Sequence, residues 1–283
     1  MIKNVKNSSI LMVVLSLALA IAGCGTAPSS TTAGNAGTQA PSPNAPRPTP
    51  TATVELTVSA AASMTDALKD IQKAYETKNP NIKLNFNFGA SGALQQQIEQ
   101  GAPADLFLSA AAKNMKALVD KQLIEAAQQK NVLSNELVAV VSADGKASIA
   151  NAADLSKSEI KNIAVGIPES VPAGAYAKEA LTSMKLWDSL QSKLVQGKDV
   201  RQVLQYVETG NADVGFVYKT DALTSRKVKV AFAVDPKAYT PVEYPIGIVK
   251  ATKHKQEAEG FYTYLQSKEA LDVFVKYGFS VLN

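Results

Sequence analysis

Between Glu55 and Tyr218, short apolar strands alternate with segments of helical period, which restricts the chain to an α/β architecture. Glu55 to Ala60 reads as a strand; Met64, Leu68, Ile71 and Tyr75 then recur at helical spacing, and Asn79-Pro80 ends that helix. Ile82 to Phe88 alternates as a strand, and Leu94 and Ile98 mark a helix that stops at Gly101. Asp105 to Ser109 is a third strand, followed by a helix through Met115, Leu118 and Val119. Leu137 to Val141 and Ile163 to Ile167 are further strands. Val200, Val203, Leu204 and Val207 line a helix ended by Gly210, ahead of a strand over Asp213 to Tyr218. Helices between strands call for largely parallel sheets, and ligands in such folds sit beyond the carboxyl ends of strands, beside helix starts. The stretch from about Val54 to Asn283 is long for one small domain and suits two lobes.

The first residues have a different character. Lys3 and Lys6 precede an apolar run from Ile10 to Ala22, and Gly23-Cys24 follows, which is the layout of a secretory signal peptide over residues 1–23. The run is too short for a comfortable membrane span. Ile21-Ala22-Gly23-Cys24 resembles the bacterial lipobox, so Cys24 is expected to be lipidated and to become the mature N-terminus. Cys24 is the single cysteine, which leaves no disulfide within the chain. Residues 25–53 consist almost entirely of Ala, Pro, Ser, Thr, Gly and Asn, with Arg47 the one charge. Such a segment buries too little apolar surface to fold. As a flexible coil it spans roughly 30 Å, a tether that holds a soluble domain off a membrane.

Composition excludes several classes. The formal net charge is +4, without a basic cluster or an aromatic stacking pattern suited to nucleic acid. His254 is the only histidine and lies between Lys253 and Lys255, so a histidine-based metal site is excluded. A secreted hydrolase using Ser63 or Ser91 stays as the least favoured alternative, since no serine neighbourhood has the form of a nucleophile elbow and a credible general base is lacking.

The most informative local feature is Gly166 to Leu181, a strand end and turn followed by a helix that opens at Pro172-Ala173-Gly174. Proline suits a first helical turn, and the N–H groups of Ala173 and Gly174 have no partner within the helix. They carry the positive end of the helix dipole and suit an anion, and Gly174 has no side chain to block approach. The same device recurs. Ser63 opens the first helix, with Asp66 three residues on as in a capping box; Ser91 opens the second; Val200 opens a fourth. One serine at a helix start is usually a cap. Two serines and four helix starts in one two-lobed chain point to an oxyanion cradle of hydroxyls and N–H groups rather than formal charges.

Five segments then carry a resemblance. Ala61-Ala-Ser-Met-Thr-Asp-Ala-Leu68, Gly101-Ala-Pro-Ala-Asp-Leu-Phe-Leu-Ser109, Val171-Pro-Ala-Gly-Ala-Tyr-Ala-Lys-Glu-Ala-Leu181, Asp199-Val-Arg201 and Gly215-Phe-Val-Tyr-Lys-Thr-Asp-Ala222 resemble the molybdate-binding proteins of bacterial ABC importers, in order and over essentially all of Val54 to Asn283. The resemblance implies a type II periplasmic-binding-protein fold. Each lobe would be a mixed, mostly parallel sheet flanked by helices, and two crossover strands would join the lobes. The expected division is residues 54–136 with 245–283 for one lobe and 137–244 for the other, with hinges near Leu137 and Tyr244-Pro245-Ile246. The resemblance also implies the ligand set: Ser63 and Ser91 from the first lobe, with the N–H groups of Ala173 and Val200 and the Tyr218 hydroxyl from the second. Molybdenum would be held as its oxyanion by these residues, without a cofactor or a catalytic group. The implied partners are permease subunits with a cytoplasmic ATPase, and a membrane through Cys24; a monomer at the outer face of the cytoplasmic membrane is expected.

Two positions depart from the family pattern. Many relatives carry Asp where Ala111 stands, at a position that is not a ligand, and the surroundings of Ser91 are glycine-flanked rather than serine-rich. Tyr218 speaks for a tetrahedral oxyanion rather than the branch that adds carboxylate ligands. Molybdate and tungstate are dianions whose oxygens all accept, and a donor-only site satisfies them, whereas protonated phosphate needs an acceptor as well. Sulfate shares the donor preference, so another oxyanion is the alternative ligand. A cytosolic effector-sensing domain of the same fold conflicts with the leader. Arg201 and Lys219 flank ligand positions and have surface ion-pair roles as the plainer reading; Trp187 and Tyr176 are expected to pack, Lys250 to Lys255 to be a solvated face, and Ser109 to lie outside the site.

Overall fold

The computed structural model describes residues 53–145 and 148–282. The expected signal peptide, the lipidated Cys24 and nearly all of the linker lie outside the described residues. The chain begins with β1 (Val54–Ala61), α1 (Thr65–Lys78), β2 (Ile82–Gly89), α2 (Ser91–Glu99), β3 (Leu106–Leu108), α3 (Ala112–Asp120) and β4 (Ile124–Asn135). It continues through β5 (Leu137–Ser142), β6 (Ile163–Gly166), α4 (Pro172–Ser183), α5 (Trp187–Leu190), β7 (Leu194–Gly197), α6 (Val200–Glu208), β8 (Val214–Tyr218), α7 (Lys219–Leu223) and β9 (Val228–Ala233). It ends with β10 (Val242–Val249), α8 (Lys255–Leu265), α9 (Lys268–Lys276) and β11 (Ser280–Val281).

The strands form two sheets, one ordered β11-β4-β10-β3-β1-β2 and the other β7-β6-β8-β5-β9. Each is the centre of a lobe. The strands that alternate with helices pair in parallel: β1 with β2 and β3, and β6 with β7 and β8. The strands on either side of the lobe crossings, β4, β5, β9 and β10, add antiparallel ladders and make both sheets mixed. The chain first crosses between lobes at Glu136, the one residue separating β4 from β5. It returns through residues 234–241. The expected division placed this return at residue 245, but Val242 already pairs with Asn135. Pro245 marks no boundary because it sits at a register shift inside β10, where the ladder tolerates a residue without an N–H.

Burial follows the helical and strand periods. On α1, Ala67, Leu68, Ile71 and Tyr75 are buried, and Leu68 and Ile71 are wholly so. Each such aliphatic side chain contributes about 1.5–3 kcal/mol by leaving water. The face of α6 formed by Val200, Val203, Leu204 and Val207 is buried in the same way against the second sheet. A smaller apolar cluster of Leu94, Ile98, Phe107, Met115 and Leu118 fixes α2 and α3 on the first. These faces hold the helices so that the starts of α2, α4 and α6, and the turn before α1, point into the space between the lobes.

Candidate functional site

Ser63, Ser91, Ala173, Val200 and Tyr218 all line one small cavity, with Ala61, Ala62, Gly89, Ala90, Ala110, Val171 and Pro172 completing its wall. The volume open to the centre of a water molecule is about 10 Å³, room for about one water-sized group and too little for a sugar, an amino acid or a peptide. All five residues are at most 4 % exposed. A larger charged groove of about 610 Å³, lined by Asp66, Lys69, Lys198, Arg201 and Glu208, contains none of the five.

Neither serine caps its helix. Ser63 lies in a 3-10 turn (Ala62–Met64) ahead of α1, whose N-cap is Met64 without a side-chain bond. The expected capping box with Asp66 does not form, because the Ser63 hydroxyl meets the Tyr244 hydroxyl at 2.9 Å and Asp66 pairs with Arg201 at 2.8 Å. Ser91 is the first residue of α2, and its oxygen accepts the Ala110 N–H at 2.9 Å. With that lone pair occupied, the Ser91 proton is free to be donated into the cavity.

The backbone donors have a local cause. Pro172 opens α4 without an N–H, so the Ala173 N–H is the first donor of that helix and has no intrahelical partner. Gly174 does not line the cavity. Its lack of a side chain serves packing: a Cβ there would lie 2.0 Å from the Gly166 carbonyl oxygen. At α6 the Asp199 carboxylate accepts the Gln202 N–H at 2.9 Å as a cap and leaves the Val200 N–H unpartnered. Tyr218 ends β8, and its buried hydroxyl oxygen has no hydrogen-bond partner among the described residues. Burial raises its pKa well above that of an ordinary phenol, so it remains a donor. The starts of α4 and α6 and three hydroxyl-bearing residues thus line one cavity, whose lining residues include no carboxylate.

Several contacts bridge the lobes around this point. The Gly92 N–H donates to the Ser170 carbonyl at 2.9 Å, and a Cβ on Gly92 would lie 2.7 Å from that oxygen. Tyr176 donates to the Ala110 carbonyl at 3.4 Å, a bridging role beyond the expected packing. Arg201 contacts Asp66 of the first lobe at 2.8 Å and the fully buried Asp221 of the second at 2.7 Å. Burial pushes the Asp221 carboxyl up to about 6, against the opposing pull of Arg201 and of the Tyr218 N–H. Lys219 pairs with Glu136 on the surface, and Ser109 is closed on the backbone of Ala111. The contact of Tyr244 with Ser63 and that of Tyr244 with Asn135 escape a reading of the sequence, since the partners lie 181 and 109 positions apart.

Residues 56–280 match the family of bacterial extracellular solute-binding proteins. Bacillus subtilis YvgL, provisionally assigned as an ABC transporter substrate-binding lipoprotein, is 54% identical over 225 residues, covering 80% of this chain and 86% of its own. The molybdate-binding protein ModA of Haemophilus influenzae is 43% identical over 231 residues, covering 80% of this chain and 89% of its own. The periplasmic molybdate-binding protein of Azotobacter vinelandii superposes with a TM-score of 0.73 at 23% identity, over 81% of this chain and 100% of that one, a likeness of fold.

Proposed function

Because the chain belongs to the family of bacterial extracellular solute-binding proteins of ABC importers, which bind and deliver solutes and are not enzymes, we propose that its cargo is molybdate, with tungstate as a second ligand. Such a protein works outside the cytoplasm and hands its solute to a permease driven by an ATPase. The observation that carries the ligand reading is a small buried cavity whose polar groups can all donate, with the Tyr218 hydroxyl left without a partner. Ser63, Ser91, Tyr218 and the N–H groups of Ala173 and Val200 would each donate to an oxygen of the ion. Hydrogen bonds to an ionised partner contribute about 1.5–3 kcal/mol each, enough in sum to replace the water lost on entry. The relatives named for molybdate favour it over sulfate, which the same donors would serve equally well.

Calorimetric titration of the protein with molybdate, tungstate and sulfate tests this reading. Tight binding of the two larger ions and weak binding of sulfate is expected; a preference for sulfate would sink it.

Attachment through Cys24 forms part of the same proposal. It is supported by the lipobox-like Ile21-Ala22-Gly23-Cys24, by the tether that follows, and by the lipoprotein assignment of the similar Bacillus protein. Several acyl chains on one residue hold a protein to a membrane where one chain is marginal. Cys24→Ser should release the protein or leave it unprocessed with unchanged molybdate affinity, and a wild type found wholly in the soluble fraction would rule the anchor out. The protein is expected to act as a monomer.

A further inference from the structure

Ser63 can serve a dianion only if its proton points at the ion, and a hydroxyl by itself does not fix that direction. From the contacts behind Ser63, we infer that Tyr244 and Asn135 are positioning residues that aim the Ser63 proton into the cavity. This inference rests on the oxyanion reading of the site.

The chain of bonds has one consistent direction. The Glu136 backbone N–H can only donate, and it donates to Asn135 Oδ1 at 2.9 Å. That contact fixes the amide, so Asn135 presents Nδ2 to Tyr244 Oη at 3.2 Å and to Thr220 Oγ1 at 2.9 Å. An amide nitrogen donates, so the Tyr244 oxygen accepts there. The Tyr244 ring is fully buried, and among the described residues its hydroxyl has one other partner, Ser63 Oγ at 2.9 Å. Its proton therefore goes to Ser63, and the Ser63 proton is left for the ion. Burial holds the Tyr244 phenol protonated, which keeps the donor in place at any physiological pH. Ser91 reaches the same state through the Ala110 N–H. Both serines thus have an occupied acceptor and a free donor.

The relay begins at the lobe crossing. Asn135 is the last residue of β4, and Thr220 belongs to α7 of the other lobe. The amide that spans the crossing to Thr220 thus also connects, through Tyr244, to Ser63.

The test is a double-mutant cycle read by calorimetric titration of the full chain with molybdate, with melting temperature followed in parallel. Tyr244→Phe should weaken binding roughly three- to tenfold in the wild-type background and by less than about twofold in the Ser63→Ala background. Equal losses in both backgrounds would assign Tyr244 a purely structural role and overturn the inference. If Tyr244→Phe does not fold, Asn135→Asp carries the test. A carboxylate there still accepts from Glu136 but also takes the Tyr244 proton, so Ser63 must donate to Tyr244 and turn a lone pair to the cavity. In mildly alkaline buffer molybdate and hydrogen phosphate are both dianions, and the added charge disfavours them alike. Hydrogen phosphate alone has a proton for that lone pair. The ratio of the two affinities should move toward hydrogen phosphate by about tenfold, one hydrogen bond's worth. An unchanged ratio overturns the relay while leaving the ligand reading intact. A wild-type protein that binds no molybdate overturns the ligand reading and the relay with it.

Discussion

Ser63, Ser91 and Tyr218 are polar residues in places that ordinarily exclude polarity, at most 3 % exposed and facing a small void. Removing one donor from a desolvated dianion costs about 1.5–3 kcal/mol, so Ser63→Ala and Tyr218→Phe should each weaken molybdate binding by roughly ten- to more than a hundredfold in a calorimetric series. Ser109→Ala, whose hydroxyl is spent on Ala111, should leave affinity nearly unchanged, and Ser91→Asp should be worse than either deletion because it sets a like charge beside the ion. Asp221 calls for a different measurement. Its folded pKa of about 6 lies above the ordinary carboxyl value of 3.8, so between these values the folded chain binds more protons than the unfolded one. Its contribution to stability therefore rises as pH falls from about 6 toward 4. Asp221→Asn should flatten that segment of the curve of melting temperature against pH, and a curve of unchanged slope would show that Asp221 does not titrate there.

The regular strand–helix units and β5 were legible at the level of elements, and β4 and β9 were not. Leu68, Ile71 and Tyr75, or Val203, Leu204 and Val207, announce buried helical faces by spacing alone. Residues 124–135, by contrast, hold two each of Ala, Gln and Asn, carry mostly half-buried or exposed side chains, and become a strand because β10 pairs along them. That choice belongs to tertiary structure and leaves little local trace. The candidate site divides in the same way. Its helix starts and serines are visible as local motifs, but the residues that orient them arrive through contacts distant in sequence, such as Ser63 with Tyr244. The turn from β6 into α4 shows how closely such a junction is built. Gly166 and Gly174 touch backbone to backbone, and a methyl group at 174 overlaps the Gly166 carbonyl. Gly174→Ala should displace the start of α4, lower the melting temperature by several degrees and weaken molybdate binding by withdrawing the Ala173 N–H, although residue 174 does not line the cavity. Affinity equal to wild type would show that the junction relaxes freely.

For the molecule as a whole, the candidate donors are divided: Ser63 and Ser91 belong to one lobe, and Ala173, Val200 and Tyr218 to the other. An ion that needs both sets favours the closed arrangement by its differential contacts. Small-angle scattering should show a smaller radius of gyration when molybdate is added. Gly92→Ala, which sets a methyl group against the Ser170 carbonyl across the cleft, should reduce that contraction and the affinity together. A radius that stays constant at saturation would contradict closure. The bridging contacts lead to one more consequence. An ion enclosed on all sides cannot leave until the lobes part, so its residence time is the lifetime of the closed form. That lifetime should depend on the contacts of Arg201 with Asp66, Gly92 with Ser170 and Tyr176 with Ala110, although none of these bonds involves a group proposed to hold the ion. Capture and retention would then be separable: the proposed hydroxyl and N–H donors would choose what is held, and the rim how long, so the pace of delivery could change without altering what is delivered.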